Sequence, residues 1–140
     1  MVRHPAFRRL WLWGPPIVYM AAIFHFSSES NPLPALTEHV WDKLLHTIEY
    51  TGLGFLCFRA FHGEGLRGWR PAIITVIIVS VYGASDEFHQ MFVPMRSSDI
   101  NDWLTDTLSG LFGSITFLAF STLARRPGGE KRLPGNDQNR

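Results

Sequence analysis

The sequence is poor in cysteine, in net charge and in uninterrupted hydrophobic runs, and each shortage narrows what the protein can be. Its single cysteine, Cys57, lies inside an apolar stretch, so the 140-residue chain holds no internal disulfide. We expect this thiol to be a small buried side chain. Thirteen basic and twelve acidic residues give a net charge of +1, which leaves no basic surplus for a nucleic-acid-binding face. We therefore predict no nucleic-acid partner.

Four apolar blocks come close to the length that a membrane helix needs. A helix crosses a hydrocarbon core of about 30 Å with about 20 apolar residues, and each block is somewhat shorter or more polar than that. The alternative is a soluble helical bundle, whose helices would carry a polar outer stripe. Residues 72–82 have no such stripe, because only Thr75 and Ser80 interrupt their apolar surface. The predicted spans are about Leu10–Phe26, Leu44–Phe61, Pro71–Phe92 and Leu104–Leu123.

The two ends of the chain need separate interpretation. Arginines before the first block resemble the start of a secretory signal. However, Pro15 and Pro16 interrupt the block and no small-residue cleavage site follows it, so we expect a retained first helix. Residues 125–140 are rich in glycine, proline and charge without apolar periodicity, which is typical of disorder. The prediction is one four-helix domain over residues 1–124 and a disordered cytoplasmic tail over residues 125–140.

Basic residues are distributed unevenly around the four blocks. Eleven of the thirteen precede the first block, lie at or between the second and third, or follow the fourth; only Lys43 and Arg96 fall elsewhere. The positive-inside rule therefore predicts that both termini are cytoplasmic and that the number of spans is even. Nine of the twelve acidic residues show the opposite bias. The expected fold is an all-α integral membrane bundle of four transmembrane helices with a carboxylate-rich outer end.

Polar side chains recur at helical spacing near the predicted outer ends of the last three blocks. Asp42, His46 and Glu49 are spaced i, i+4, i+7, which places them on one face of a helix. Two further sets with related spacing are Tyr82, Asp86, His89 and Gln90, and Asp99, Asp102 and Asp106.

Ionisable groups inside a membrane helix are energetically costly, so they indicate function by default. On that ground Glu49, Asp86, Glu87 and His89 are the candidate catalytic residues, while a purely structural polar network that pairs helices is the alternative.

Other polar and small residues near the last two blocks have a simpler interpretation. Ser97 or Ser98 could cap the last helix, and Asp99 and Asp102 are expected to be no more than cap and first-turn residues, where aspartate suits the helix dipole. Gly110 and Gly113 are expected to form a helix-packing surface, and Gly83 should let a neighbouring helix approach closely.

These residue types are compatible with several chemistries. Carboxylates and imidazoles at helical spacing could bind a divalent metal, although no HExxH motif is present. Paired acids could act as general acid and base. A covalent mechanism through Ser85 beside Asp86 has only weak support, since nothing resembles a nucleophile elbow. The site could also hold a polar lipid headgroup without chemistry. We therefore predict no firmly bound cofactor and leave a divalent metal open.

Two stretches of the chain resemble the VanZ-like family of small bacterial membrane proteins. They are DKLLHTIEYTGLGFL and YGASDEFHQMFVPMRSSDINDWLTDTLSGLFG, and they cover about half of the chain. The patterns D-K-x-x-H-x-x-x-Y and Y-G-x-x-D-E-x-x-Q-x-F-x-P-x-R, in this order, carry the resemblance. Met95 departs from it, because the family usually has glycine before the arginine.

The resemblance implies a multi-pass protein of the bacterial cytoplasmic (inner) membrane. The family's namesake is associated with resistance to teicoplanin-type glycopeptide antibiotics, which act outside that membrane on lipid-linked cell-wall precursors. A membrane lipid or such a precursor is therefore the expected partner. The residues that match the family's patterns are candidates for binding its headgroup: Asp42, Lys43, His46, Tyr50, Gln90, Arg96, Asp102 and Asp106.

Four functions compete at this point. The leading hypothesis is an envelope protein that engages a lipid or precursor headgroup and lowers access of the antibiotic. The second is an enzyme that modifies a lipid headgroup, with or without a metal. A lipid transporter is less favoured, because the cytoplasmic halves of the spans lack matching ionisable residues. The fourth is a structural subunit of a larger complex.

Overall fold

The described part of the chain consists of four α-helices and contains no strand. The computed structural model describes residues 4–30 and 40–124, except for the side chains of residues 40–42. The predicted disordered tail, residues 125–140, lies outside this part. The helices are α1 (Pro5–Ser27), α2 (Val40–Gly63), α3 (Arg70–Gln90) and α4 (Ile100–Ala124). The all-helical prediction is confirmed, with one helix for each apolar block.

Proline has different roles in the first and third helices. Pro5 and Pro71 occupy the first turns of α1 and α3, where the missing amide hydrogen has no intrahelical partner to lose. Helix α1 also continues through Pro15 and Pro16, which lie in its interior. Membrane helices tolerate interior prolines when neighbouring groups satisfy the freed backbone.

Helix α3 ends earlier than the sequence predicted. Its last residue is Gln90 rather than Phe92. Beyond it, the amides of Phe92 and Val93 bond to carbonyls three residues back, which tightens the chain into turns. Met95 in this segment has a φ of 65°, in the left-handed region that favours glycine. The departure from the family's glycine therefore falls at a strained backbone position.

Closely packed glycines join α2 to α4. A side chain at Gly54 would overlap the backbone of Gly110, and one at Gly113 would overlap the backbone of Thr51 and Phe55. Such approach of two backbones is the usual function of small residues in membrane helix pairs. The predicted packing role of Gly110 and Gly113 is confirmed. Cys57 is also buried, as predicted.

The four helices alternate in direction, so the two ends of the bundle differ in charge. At one end Arg8 near the start of α1 contacts Glu64 after α2, with nitrogen and oxygen 2.8 Å apart. At the other end Gln90 of α3 donates to Ser27 of α1 at 3.1 Å. The described arginines other than Arg96 belong to the first end, which we call the basic end. The second end, which we call the acidic end, carries the described carboxylates other than Glu64.

The distribution of polarity is the reverse of that in a soluble bundle. Polar residues such as Asp86 and Asp106 are buried, while Val18 of α1 and Ile48 of α2 remain 69% and 58% exposed. Large exposed apolar surfaces indicate contact with lipid or another protein. Helices α3 and α4 are long and apolar enough to cross a membrane, and α1 and α2 do not meet that criterion by composition. The two apolar helices support a membrane protein.

Candidate functional site

Five carboxyl or imidazole side chains are buried at the acidic end, between α2, α3 and α4. Asp102, which pairs with Lys43, is 7% exposed, and the other four are buried more deeply. Their exposed fractions are 5% for His46, 2% for Asp86, 5% for Glu87 and 0% for Asp106. Burial of a charged group is unfavourable unless it is paired or binds a cation. The contacts of each side chain therefore show how far the protein itself compensates for that penalty.

His46 and Asp106 form a direct pair between α2 and α4. The Nδ1 atom of His46 lies 2.9 Å from Oδ1 of Asp106. Gly83 of α3 makes room for the carboxylate, because an added Cβ there would lie 3.0 Å from Asp106 Oδ2. The ring of Tyr50 lies parallel to the His46 ring, at a centroid distance of 6.0 Å. The imidazole is therefore oriented from two sides.

Asp86 of α3 has two hydrogen-bond donors, both of which reach the same oxygen. The Tyr50 hydroxyl donates to Oδ2 at 3.3 Å, and the Gln90 amide donates to it at 3.2 Å. The same Gln90 amide nitrogen also donates to the Ser27 hydroxyl, which links α3 to α1. The second oxygen, Oδ1, is buried and has no hydrogen-bond partner among the described residues.

Glu87 bonds to the start of α4. Its Oε2 atom accepts the backbone N–H of Asp99 at 2.8 Å. Asp99 in turn caps α4, because its side chain accepts the N–H of Asn101 at 2.9 Å, as expected from the sequence. Among the residues that the structure describes, Glu87 Oε1 has no partner, and neither does Asp106 Oδ2.

His46, Glu87 and Asp106 lie close enough together to share a ligand. Each offers one ligand atom, and these atoms all lie within 4.8 Å of one another. The three residues come from three different helices. We refer to them as the His46 triad. A buried imidazole and two carboxylates can accept hydrogen bonds, exchange a proton or coordinate a divalent cation.

Charged residues surround this buried group. Lys43 bonds to Asp102 at 2.7 Å and lies 3.9 Å from Asp99. The half-buried Glu49 carboxylate is close enough to interact electrostatically with His46, Asp86, Asp106 and Arg96. Ionisable side chains of α2, α3 and α4 thus converge at one end of the bundle.

An open groove at the acidic end is lined in part by Glu87. It has a volume of about 280 Å³ and lies between the end of α3 and the start of α4. Its walls are largely apolar. The lining residues are Ala84, Glu87, Phe88, Met91, Ser98, Asp99, Ile100 and Trp103.

Comparison with known families identifies one that covers most of the chain. The VanZ/LLP1 family profile matches residues 7–121, which include most of all four helices. The chain belongs to the VanZ/LLP1 family. The resemblance noted in the sequence is confirmed, and the match extends well beyond the two quoted stretches. No curated protein and no solved structure matches the chain significantly.

Some residues singled out from the sequence do not join the buried group. His89 faces α1, where its Nε2 lies 3.0 Å from the Ser28 hydroxyl and its ring packs on Phe24. It also falls at a variable position of the VanZ-like pattern. Arg96 donates to the backbone oxygen of Glu29 at 3.4 Å. The side chain of Asp42 lies outside the described residues.

Two features of the site were not predicted from the sequence. Gly83 has the spacing of a helix-packing glycine, but its missing side chain accommodates the Asp106 carboxylate. Ser27 belongs to none of the polar patterns, although it accepts a hydrogen bond from Gln90. The position of Gly83, three residues before Asp86, was the signal that could have indicated its contact with Asp106. No sequence pattern indicated the contact of Ser27.

Proposed function

We propose that this VanZ/LLP1 protein is a multi-pass protein of the bacterial cytoplasmic (inner) membrane, with four spans and both termini in the cytoplasm. The support is the separation of charge, since the arginines of the basic end would face the cytoplasm under the positive-inside rule. The acidic end, with the His46 triad and Asp86, then faces the outside of the membrane.

We further propose that the acidic end engages the headgroup of a membrane lipid or lipid-linked cell-wall precursor. The observation that carries this proposal is the buried Oδ1 oxygen of Asp86, which has no hydrogen-bond partner within the part of the chain that the structure describes. A buried acceptor that is unsatisfied is costly, and each such group calls for a missing partner. Headgroups rich in hydroxyl, amide or amine groups supply donors, while the apolar groove beside Glu87 suits an acyl chain.

Engagement of such a headgroup at the outer surface would lower susceptibility to teicoplanin-type antibiotics. These drugs act on lipid-linked precursors at that surface, and the VanZ-like namesake is associated with resistance to them. A protein that holds the precursor, or alters the surface around it, reduces the access of the drug.

A susceptibility assay tests this function. Wild type, Asp86→Asn and Glu64→Gln are expressed in a teicoplanin-sensitive host at matched membrane levels. We expect protection from wild type and from Glu64→Gln, whose carboxylate lies at the basic end, and loss of protection with Asp86→Asn. Full protection by Asp86→Asn at the same level would refute the proposal.

A lipid-headgroup-modifying enzyme is the second candidate, and one observation favours it. The His46–Asp106 pair joins an imidazole to a buried carboxylate at 2.9 Å, an arrangement that orients a general base. Mass spectrometry of total lipid and precursor extracts separates the two functions. An enzyme produces a new or depleted species with wild type that is absent with His46→Gln, whereas a binding protein leaves both extracts the same.

A further inference from the structure

We infer that His46, Glu87 and Asp106 form a binding site for one divalent metal cation. Their ligand atoms lie within 4.8 Å of one another, and all three side chains are buried. Three separate helices supply them, so the site forms only in the folded bundle. The inference concerns the same end of the molecule as the proposed function, but it holds whether or not a lipid binds there.

Independent support comes from the oxygens that the protein leaves without partners. Glu87 is 5% exposed and Asp106 is fully buried, yet Glu87 Oε1 and Asp106 Oδ2 have no hydrogen-bond partner among the described residues. Each residue uses its other oxygen, one for the N–H of Asp99 and one for His46. Glu87 is thus oriented through Oε2 by a group that is not itself a ligand, which leaves Oε1 available. His46 and Asp106 can hold the same ion only if their mutual hydrogen bond opens when the metal binds.

The charge balance of the acidic end also favours a cation. Within the described side chains this end carries seven carboxylates, while Lys43 and Arg96 are its basic residues apart from histidine. Like charges in a poorly hydrated region repel each other strongly. A divalent cation in the triad would offset two of these charges. The carboxylates are Glu29, Glu49, Asp86, Glu87, Asp99, Asp102 and Asp106.

The donor set indicates the kind of metal. One imidazole nitrogen with two carboxylate oxygens suits Zn²⁺ or Mn²⁺, since imidazole favours zinc and carboxylate favours manganese. Two ligands about 2.1 Å from one ion lie at most about 4.2 Å apart, so any pair of triad atoms near the 4.8 Å limit would move closer on binding. Three protein ligands leave at least one coordination position of the metal open. Because Glu87 lines the groove, a phosphate oxygen of the proposed headgroup could occupy that position, a step that rests on the proposed function.

Metal titration of the purified full chain tests the inference. The protein is stripped with a chelator in detergent without added lipid, and then titrated separately with Zn²⁺ and Mn²⁺. We expect wild type to bind about one equivalent of at least one of them and to gain thermal stability with metal concentration. Glu87→Gln and Asp106→Asn should weaken binding by more than about tenfold, because loss of a group that merely supports a ligand already has that effect.

Two control variants and one further measurement make the result specific to the His46 triad. Glu64→Gln and His25→Gln remove the same chemical groups from the basic end and from an exposed site on α1, and both should bind like wild type. In chelator, Glu87→Gln should be at least as stable as wild type, because it removes a buried negative charge and keeps an oxygen that accepts the Asp99 amide. The inference is wrong if wild type binds neither ion saturably, or if binding is unchanged in the two triad variants.

Discussion

The buried Asp106 carboxylate is compensated mainly by one contact, its hydrogen bond with His46. Its side chain is fully buried, and one of its oxygens contacts His46 across the α2–α4 interface. Removal of one member of a buried charged pair usually costs more than removal of both, because the remaining charge has no compensation. The contribution of the His46–Asp106 contact to the free energy of unfolding can therefore be measured separately from the contribution of each residue.

A double-mutant comparison in chelator tests this coupling. We expect His46→Ala to reduce the free energy of unfolding by about 3 kcal/mol, since it leaves the Asp106 carboxylate unpaired. Addition of Asp106→Asn to that variant should restore part of the stability, with a coupling energy of about 0.5–3 kcal/mol. Thermal unfolding in detergent measures it. Additive losses in the double variant would contradict a direct pair.

Met95 offers a prediction of the opposite sign. A non-glycine residue in the left-handed region costs about 1–2 kcal/mol, and Met95 has a φ of 65° while its side chain is largely exposed. Met95→Gly removes this strain but also increases the conformational entropy of the unfolded chain, which offsets part of the gain. We therefore expect it to raise the free energy of unfolding by up to about 1 kcal/mol. A lower melting temperature for this variant would show that the methionine side chain contributes more than the backbone strain costs.

For individual residues, the sequence predicted which side chains belong to the site better than it predicted which side chains they contact. Spacing along α2 placed His46 and Glu49 near one another, and the VanZ-like pattern singled out Asp86, Glu87 and Asp106. The contact between His46 and Asp106 joins residues 60 positions apart, so helical periodicity carries no information about it. His89 fitted the spacing along α3 but packs against α1, because helix rotation decides which neighbour a residue meets.

The interface between α2 and α4 sets the geometry of the whole site. Gly54, Gly110 and Gly113 allow the two backbones to meet, and this approach brings His46 within reach of Asp106. In lipid, such packing contributes more to helix association than burial of apolar surface does. The number and approximate bounds of the helices followed from the apolar blocks. The early end of α3 did not, because turn hydrogen bonds after Gln90 determine it.

Two glycine substitutions should have opposite effects. Gly113→Ala places a methyl group against the backbone of Thr51 and Phe55, which cannot rotate away, so we expect a loss of about 1–3 kcal/mol. Gly14→Ala is the matched control in α1. Its added methyl group meets only a side-chain atom at 4.0 Å, and alanine favours the helix by up to about 1 kcal/mol. Equal melting temperatures for both variants would refute the close packing of α2 on α4.

For the molecule as a whole, the separation of charge predicts its orientation in the membrane. The basic end includes the α2–α3 loop, and the acidic end includes the α3–α4 loop. Cys57 is buried and is the only native cysteine, so its replacement gives a background for labelling. The topology can then be measured one loop at a time.

Cysteine labelling provides that measurement. In a Cys57→Ser background, Ser97→Cys should react with a membrane-impermeant maleimide in intact spheroplasts, because Ser97 lies in the exposed α3–α4 loop. Glu64→Cys in the α2–α3 loop should react only after the membrane is permeabilised. The reverse pattern would place the acidic end in the cytoplasm and remove the basis for action on an external lipid.

The most direct test of headgroup recognition is the lipid that the purified protein retains. Wild type and Asp86→Asn are extracted from bacterial membranes in mild detergent, with Glu64→Gln as the control, and bound lipids are identified by mass spectrometry. We expect wild type and Glu64→Gln to retain a lipid or precursor with a donor-rich headgroup in excess of its abundance in the membrane, and Asp86→Asn to lose that enrichment. The same lipid profile in all three proteins would contradict headgroup recognition by the acidic end.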